Sequence, residues 1–286
     1  MSVNQDMQKN FAAARLTDKE FNQLSAFIYK EVGITLPMSK KIMLEARLQK
    51  RLRANNMLDY KTYLSFVFSP QGVDAELHHL IDCVTTNTTD FFREPQHFEF
   101  LRQTLLPEWF ADVGRLRHLA LWSAGCSIGM EPYTLAMVMN EFADKNLGFH
   151  FNILATDIST DVLRTASRGV YELERIAPVP MELKKKYFLR SKDSAKPLVK
   201  VTRGLRELIT FGRLNFMEEF HFDSPNDIIF CRNVVIYFDK PTKETLFNKF
   251  SRSLRKGGYL FIGHSESLAG MDLPLEQIIP TVYKKI

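Results

Sequence analysis

The chain has 286 residues, 45% of them hydrophobic and 25% charged, with a formal net charge of +5; this is the composition of a soluble globular protein long enough for one large domain or two smaller ones. No run approaches the ~20 apolar residues that span a bilayer, and the polar first fourteen residues lack the apolar core of an export signal, so the sequence reads as cytoplasmic and without direct membrane insertion. Cys83, Cys126 and Cys231 are scattered, as expected in a reducing compartment, and neither they nor the seven histidines show metal-ligand spacing, so no metal is expected.

Residues from about 17 to 84 carry helical periodicity and little strand signal. Thr17-Asp18-Lys19-Glu20 is a capping box ahead of Phe21, Leu24, Ile28 and Val32 on one face. A second helix starts at Pro37-Met38-Ser39 and runs to about Asn55, and the stretches 59–68 and 73–84 supply two more. Between Lys40 and Arg53, six cations (Lys40, Lys41, Arg47, Lys50, Arg51, Arg53) stand against Glu45, while Leu44, Leu48 and Leu52 recur every four residues as the buried stripe. The cations are left to the remaining faces, where they form either a solvated surface or a docking surface.

Further along, Leu119-Ala120-Leu121-Trp122-Ser123-Ala124 reads as an apolar strand. It ends in the small loop Gly125-Cys126-Ser127-Ile128-Gly129, after which Met130-Glu131-Pro132-Tyr133 opens a helix. A second apolar run, 151–155, ends at Thr156-Asp157, and an acid closing the second strand of such a unit is placed to accept hydrogen bonds from ribose hydroxyls. The loop lacks the glycine spacing that cradles a pyrophosphate, and the chain has no G-x-x-x-x-G-K-[ST]. Dinucleotides and P-loop nucleotides are therefore disfavoured, and S-adenosylmethionine, with a ribose and an amino-acid end but no phosphate, fits better. Short strands at 198–202 and 208–211, separated by basic turns, predict a small antiparallel excursion over 181–213. Two more apolar strands follow, in 227–239 and, after Lys256-Gly257-Gly258, up to Gly263-His264. Strands alternating with helices predict an open, largely parallel sheet with its ligand at the strands' C-terminal ends.

Four segments make the chain resemble a known family, the chemotaxis receptor methyltransferases called CheR. They are Thr85-Thr86-Asn87-Thr88-Thr89-Asp90-Phe91-Phe92-Arg93-Glu94, the loop from Trp122 to Tyr133, Phe230-Cys231-Arg232-Asn233-Val234-Val235-Ile236-Tyr237-Phe238-Asp239, and Gly263-His264-Ser265-Glu266-Ser267. The similarity runs from about Leu16 to Tyr283. It implies an α/β fold of class I methyltransferase type: a mostly parallel, Rossmann-like sheet with helices on both faces, a small antiparallel β subdomain inserted at 181–213, and an N-terminal all-α domain. The boundaries it suggests are 1–84 for a receptor-docking helical domain, 85–94 for a linker contributing to the cofactor site, and 95–286 for the catalytic domain.

The activity implied is that of a protein-glutamate O-methyltransferase. It carries a methyl group from S-adenosylmethionine to glutamates of methyl-accepting chemotaxis receptors, leaving S-adenosylhomocysteine. A glutamate with pKa ~4.3 is already ionised at neutral pH, so no general base is required. Position by position, the resemblance places Asn87, Thr89, Arg93, Gly125, Glu131, Asp157, Asn215, Phe216, Asn233 and Val234 at the cofactor. Arg93 either pairs with the methionyl carboxylate or guides the incoming glutamate, Tyr237 borders the methyl-transfer position, the two being the catalytic candidates, and His264 is structural. Lys40, Arg47, Lys50, Arg51 and Arg53 would face the cytoplasmic helical domain of the receptor. The protein is expected to be a monomer that binds no nucleic acid, since its basic residues are not interleaved with aromatics. A different class of function, a non-catalytic module that senses S-adenosylmethionine or scaffolds receptors, is the alternative. Two departures stand out. The family's usual Gly-Glu-Glu-Pro-Tyr is Gly129-Met130-Glu131-Pro132-Tyr133 here, and the turn Arg190 to Pro197 has none of the glycine with which some members bind a receptor-tail pentapeptide, so no such tethering is expected.

Overall fold

The computed structural model describes residues 14–85, 88–113, 117–193 and 195–286. The chain divides into two compact units, residues 1–86 with 237–239 and residues 87–236 with 240–286. No helix among the described residues is long and apolar enough to cross a membrane.

Among the described residues, four α-helices build the first unit: α1 (Asp18–Val32), α2 (Lys41–Ala54), α3 (Tyr60–Val67) and α4 (Pro70–Val84). The Thr17 hydroxyl accepts from the Glu20 N–H while the Glu20 carboxylate accepts from the Thr17 N–H, which completes the capping box that starts α1. Helix α4 begins three residues earlier than its apolar pattern suggests. Its start is set by the Ser69 cap and by Pro70 in the first turn, signals that carry no periodicity. Leu44, Leu48 and Leu52 of α2 are fully buried. So is Glu76 of α4, whose carboxylate takes two bonds of 2.7 Å from the Arg51 guanidinium and one of 2.9 Å from the Tyr63 hydroxyl. Burial alone would raise the pKa of Glu76; those donors outweigh it and hold the group below the usual carboxylate range. The Arg47 guanidinium in turn caps the end of α4, donating to the Cys83 and Thr85 carbonyls at 3.0 and 3.1 Å.

The second unit opens with α5 (Pro95–Phe100) and α6 (Leu106–Asp112), joined by a π-helical turn. Its framework is a seven-stranded sheet of β1 (Leu119–Ala124), β2 (Phe151–Asp157), β6 (Ile209–Arg213), β7 (Asn226–Cys231), β8 (Leu254–Ile262), β9 (Leu275–Ile279) and β10 (Val282–Lys285). The order is β6-β2-β1-β7-β8-β10-β9; the first five strands run parallel, whereas β10 pairs antiparallel with both β8 and β9. Every residue of β7 is buried, as expected of a central parallel strand covered on both faces. Its Asp227 is matched by a bidentate Arg117 at 2.5 and 2.6 Å and by the Ala120 N–H. Helices α7 (Met130–Ala143), α8 (Thr160–Arg168) and α11 (Lys240–Ser253) connect the strands, with α9 (Met181–Tyr187) and α10 (Arg203–Glu207) between β2 and β6. Beside the main sheet, β3 (Val170–Glu172), β5 (Leu198–Val201) and β4 (Phe188–Arg190) form an antiparallel sheet in the order β3-β5-β4.

The small sheet differs from its sequence pattern in one respect. The apolar run at 208–211 does not belong to it: β6 pairs parallel with β2, from Ile153 opposite Ile209 to Asp157 opposite Arg213, and forms an edge of the main sheet. Its third strand is β3, only three residues long, which follows α8 directly after Gly169 (φ +61°). Apolarity marks a strand but does not say which sheet takes it.

Candidate active site

Chain order reverses about β1, which has β2 on one side and β7 on the other, and the loops after these strands gather at their C-terminal ends. After β1 the backbone bends over β2: the N–H groups of Gly125 and Cys126 both donate to the Thr156 carbonyl, at 2.8 and 2.9 Å. Gly125 has φ +83°, and a Cβ there would lie 2.5 Å from Cγ2 of Val234, so the side chain of Val234 occupies the space that glycine leaves. Asp157, at the end of β2, accepts from the Ser127 N–H at 2.8 Å with one oxygen and from the Ser159 N–H at 3.0 Å with the other. Burial pushes its pKa up, and these backbone donors oppose the shift. A carboxylate offers about four lone-pair positions, and with the Ile158 N–H also directed at it one position remains for a ribose hydroxyl.

Glu131, in the first turn of α7, is the other acid of the loop. Its Oε1 accepts from the Ser123 hydroxyl at 2.8 Å, and its Oε2 lies 3.6 Å from Nε of Arg232. Burial raises the pKa of Glu131, and the Arg232 guanidinium and the Ser123 hydroxyl act against that rise. The same Arg232 nitrogen lies 3.4 Å from Oε2 of Glu94, and its Nη2 donates to the Arg93 carbonyl. Six non-glycine residues among those described have positive φ, and four of them, Phe92, Glu94, Ser127 and Asn233, lie in these loops. Each such backbone costs roughly 1–2 kcal/mol, and held strain of this kind clusters where geometry serves a function.

Thr89 is buried, and its carbonyl accepts from Arg175 at 2.7 Å. Arg93 is partly exposed and donates one N–H to the Thr88 carbonyl. Asn87 lies outside the described residues. After β6, Asn215 is buried and its side chain accepts from the Met217 N–H, while Phe216 packs its ring against Trp122 and Phe250. Asn233 turns at φ +59° with its N–H given to Glu266, whose carboxylate also accepts from Val235 and Gly263 at 3.0 and 2.6 Å. All of these residues belong to the second unit. Tyr237 belongs to the first, where its carbonyl accepts from the Thr35 N–H.

Two family models divide the chain between them: "CheR methyltransferase, all-alpha domain" over residues 19–85 and "CheR methyltransferase, SAM binding domain" over residues 87–283. A chemotaxis protein methyltransferase of Borreliella burgdorferi is 39% identical over 99% of this chain and 100% of its own length. One from Salmonella typhimurium is 36% identical over 90% of this chain and 86% of its own. The chain belongs to the CheR methyltransferase family. It is a chemotaxis-type methyltransferase, and S-adenosylmethionine is the cofactor its site must fit.

The residues fit that group. Asp157 keeps an acceptor position, Glu131 offers a half-buried carboxylate toward an ammonium, and the loop has no glycine cradle for a pyrophosphate. A metal fits less well. Glu94, His97 and His264 bring ligand atoms within 4.8 Å of one another, but the Arg232 guanidinium stands 3.4 Å from the Glu94 oxygen and its charge opposes a cation. The sequence reading missed three residues of this CheR-type site. Arg232 and Glu266 stand there only as members of motif segments, and Lys249, in a helical stretch, is given no role. Lys249 is buried, its ammonium capping the carbonyls of Phe216, Met217 and Glu218 at 3.0–3.4 Å. Gly263 lies close to Glu266 in sequence, but the partners of Arg232 and Lys249 do not.

Proposed function

We propose that this enzyme methylates glutamate side chains of methyl-accepting chemotaxis receptors, giving glutamate methyl esters and S-adenosylhomocysteine. The observation that carries the reading is the pair of acids, buried Asp157 and half-buried Glu131, at adjacent strand ends in a chain that matches chemotaxis methyltransferases along nearly its whole length. S-adenosylmethionine supplies, when bound, an electrophilic sulfonium methyl. The protein's part is to hold it: Asp157 takes a ribose hydroxyl, Glu131 the methionyl ammonium, and the 215–216 loop borders the adenine. Asn233 and Val234 close the site against Gly125. Arg93, with N–H groups to spare beyond its bond to the Thr88 carbonyl, receives a carboxylate. The substrate carboxylate arrives ionised, so the residues orient it and exclude water, an effect worth about 7–11 kcal/mol when two reactants are held in a near-attack pose.

Lys40, Lys50 and Arg53 are exposed and are the cations of the basic segment proposed to meet acidic receptor helices. Arg47 and Arg51 already have internal partners and contribute chiefly to the unit's own fold. The test is incubation of the purified protein with labelled S-adenosylmethionine and receptor cytoplasmic fragments. Base-labile label on glutamates, located by peptide mass spectrometry, is expected. Label on another residue type, or on none, would overturn the proposal.

A further inference from the structure

The guanidinium of Arg232 at the end of β7 is the most enclosed charge of the second unit's loops, with its side chain 2% exposed. Its Nη2 donates to the Arg93 carbonyl; Nε sits between the carboxylates of Glu94 and Glu131; Nε and Nη1 have no hydrogen-bond partner of good geometry, and neither does Oε2 of Glu94. Two acids around one cation leave a surplus negative charge, which a buried site keeps only if a cation completes it. We infer that Arg232 is a positioning residue that keeps Glu131 ionised and aimed as the receiver for the ammonium of an α-amino acid group, at the same time fixing the backbone of Arg93. The inference rests on the reading of the site as one for S-adenosylmethionine, and it deepens that reading by naming the residue through which the acid acts.

The surroundings of Glu131 leave this task to Arg232. The groups facing it are the Ser123 hydroxyl from β1, Cys126 in the loop, Cys231 from β7, and Glu94, Arg93 and Arg232. The two thiols are buried, and burial raises both well above their usual range, so they stay neutral. Glu94 repels a second carboxylate, and Arg93 is partly exposed and therefore screened. Burial works to protonate Glu131, and a protonated acid gives an ammonium no charge to pair with. Of the two cations, only Arg232 is itself buried.

The experiment is calorimetric titration of S-adenosylhomocysteine, which carries the same ammonium and ribose and needs no turnover, into the full-length protein from pH 6 to pH 8. Wild type should bind with nearly constant affinity across that range. Arg232→Met, which removes the charge at similar length, should bind at least tenfold more weakly at pH 6.5 and recover as pH rises, because Glu131 then loses its proton only at higher pH. Arg232→Lys should keep a nearly flat profile. Loss of affinity in Arg232→Met with no pH dependence, or a profile like that of wild type, would overturn the inference while leaving the cofactor reading intact; wild type that fails to bind would overturn both. Should Arg232→Met not fold, carboxyl-carbon NMR of Glu131 in wild type decides, using Glu131→Gln to assign the signal. Ionisation at pH 6.5 supports the inference and protonation there refutes it.

Discussion

His97 of α5, 1% exposed, is held neutral far into the acid range. Its pKa falls from 6.5 to about 3, first because burial disfavours the imidazolium and then because of the Arg232 charge. Between those two values the unfolded chain holds a proton that the folded protein refuses, so stability falls as pH drops below about 6.5. At pH 5 the loss attributable to this group is about 2 kcal/mol relative to neutral pH. His97→Gln, which retains a partner for the Thr281 hydroxyl 2.7 Å away, should lose about that much of its pH dependence in urea unfolding at pH 5 and 7.5; an unchanged difference would mean His97 titrates normally. Asp157 has two tasks, since it anchors the Ser127 and Ser159 amides and is proposed to hold the ribose. Asp157→Ala should therefore weaken S-adenosylhomocysteine binding tenfold or more, each lost bond to a charged acceptor being worth about 1.5–3 kcal/mol. Unchanged calorimetric affinity in a folded variant would remove Asp157 from the site. These roles differ in legibility: an acid closing the second strand can be read from order alone, whereas the burial of His97 depends on Phe230, Phe261 and Thr281, far away in sequence.

Helix α2 separates two kinds of basic residue that look alike in a sequence. Arg51 is bonded to a buried glutamate, and removing one partner of such a pair costs about 3–5 kcal/mol because the other charge is stranded. Arg51→Met should accordingly lower the unfolding midpoint of the helical unit, followed by helical CD during urea titration, and leave S-adenosylhomocysteine affinity unchanged. The triple variant Lys40→Glu, Lys50→Glu, Arg53→Glu should fold normally yet methylate receptor fragments much more slowly. It should also lose the decline in rate with added salt that screening over ~10 Å at 0.1 M imposes on wild type. Normal rates in that variant would make the segment a solvated surface. The leucine stripe and the capping box were readable because they are local. Which cations are spoken for was not, since Glu76 and the end of α4 lie some twenty-five to forty residues away from their arginines.

At the scale of the whole molecule, the parallel sheet was legible because its central strands are continuous apolar runs ended by glycine or polar residues. The allotment of β6 and β3 between the two sheets was not, because pairing partners are chosen in three dimensions. A ligand that binds only the folded second unit should stabilise it by about 2.7 kcal/mol at a hundredfold excess over Kd. S-adenosylhomocysteine should therefore raise the calorimetric unfolding temperature, and should fail to do so for Asp157→Ala. The seating of β10 between β8 and β9 bears on how the chain acquires its shape. In a chain emerging from its N-terminus, β9 leaves the ribosome before β10 does, yet among the described strands β10 is the neighbour through which β9 joins the sheet. Residues 275–279 therefore depend on residues 282–285 for their place in the sheet, and the edge of β8 is covered only when the β9–β10 hairpin docks. Detaching that hairpin would uncover the whole edge of β8 at once, and an opening of that kind is what an aggregating neighbour needs.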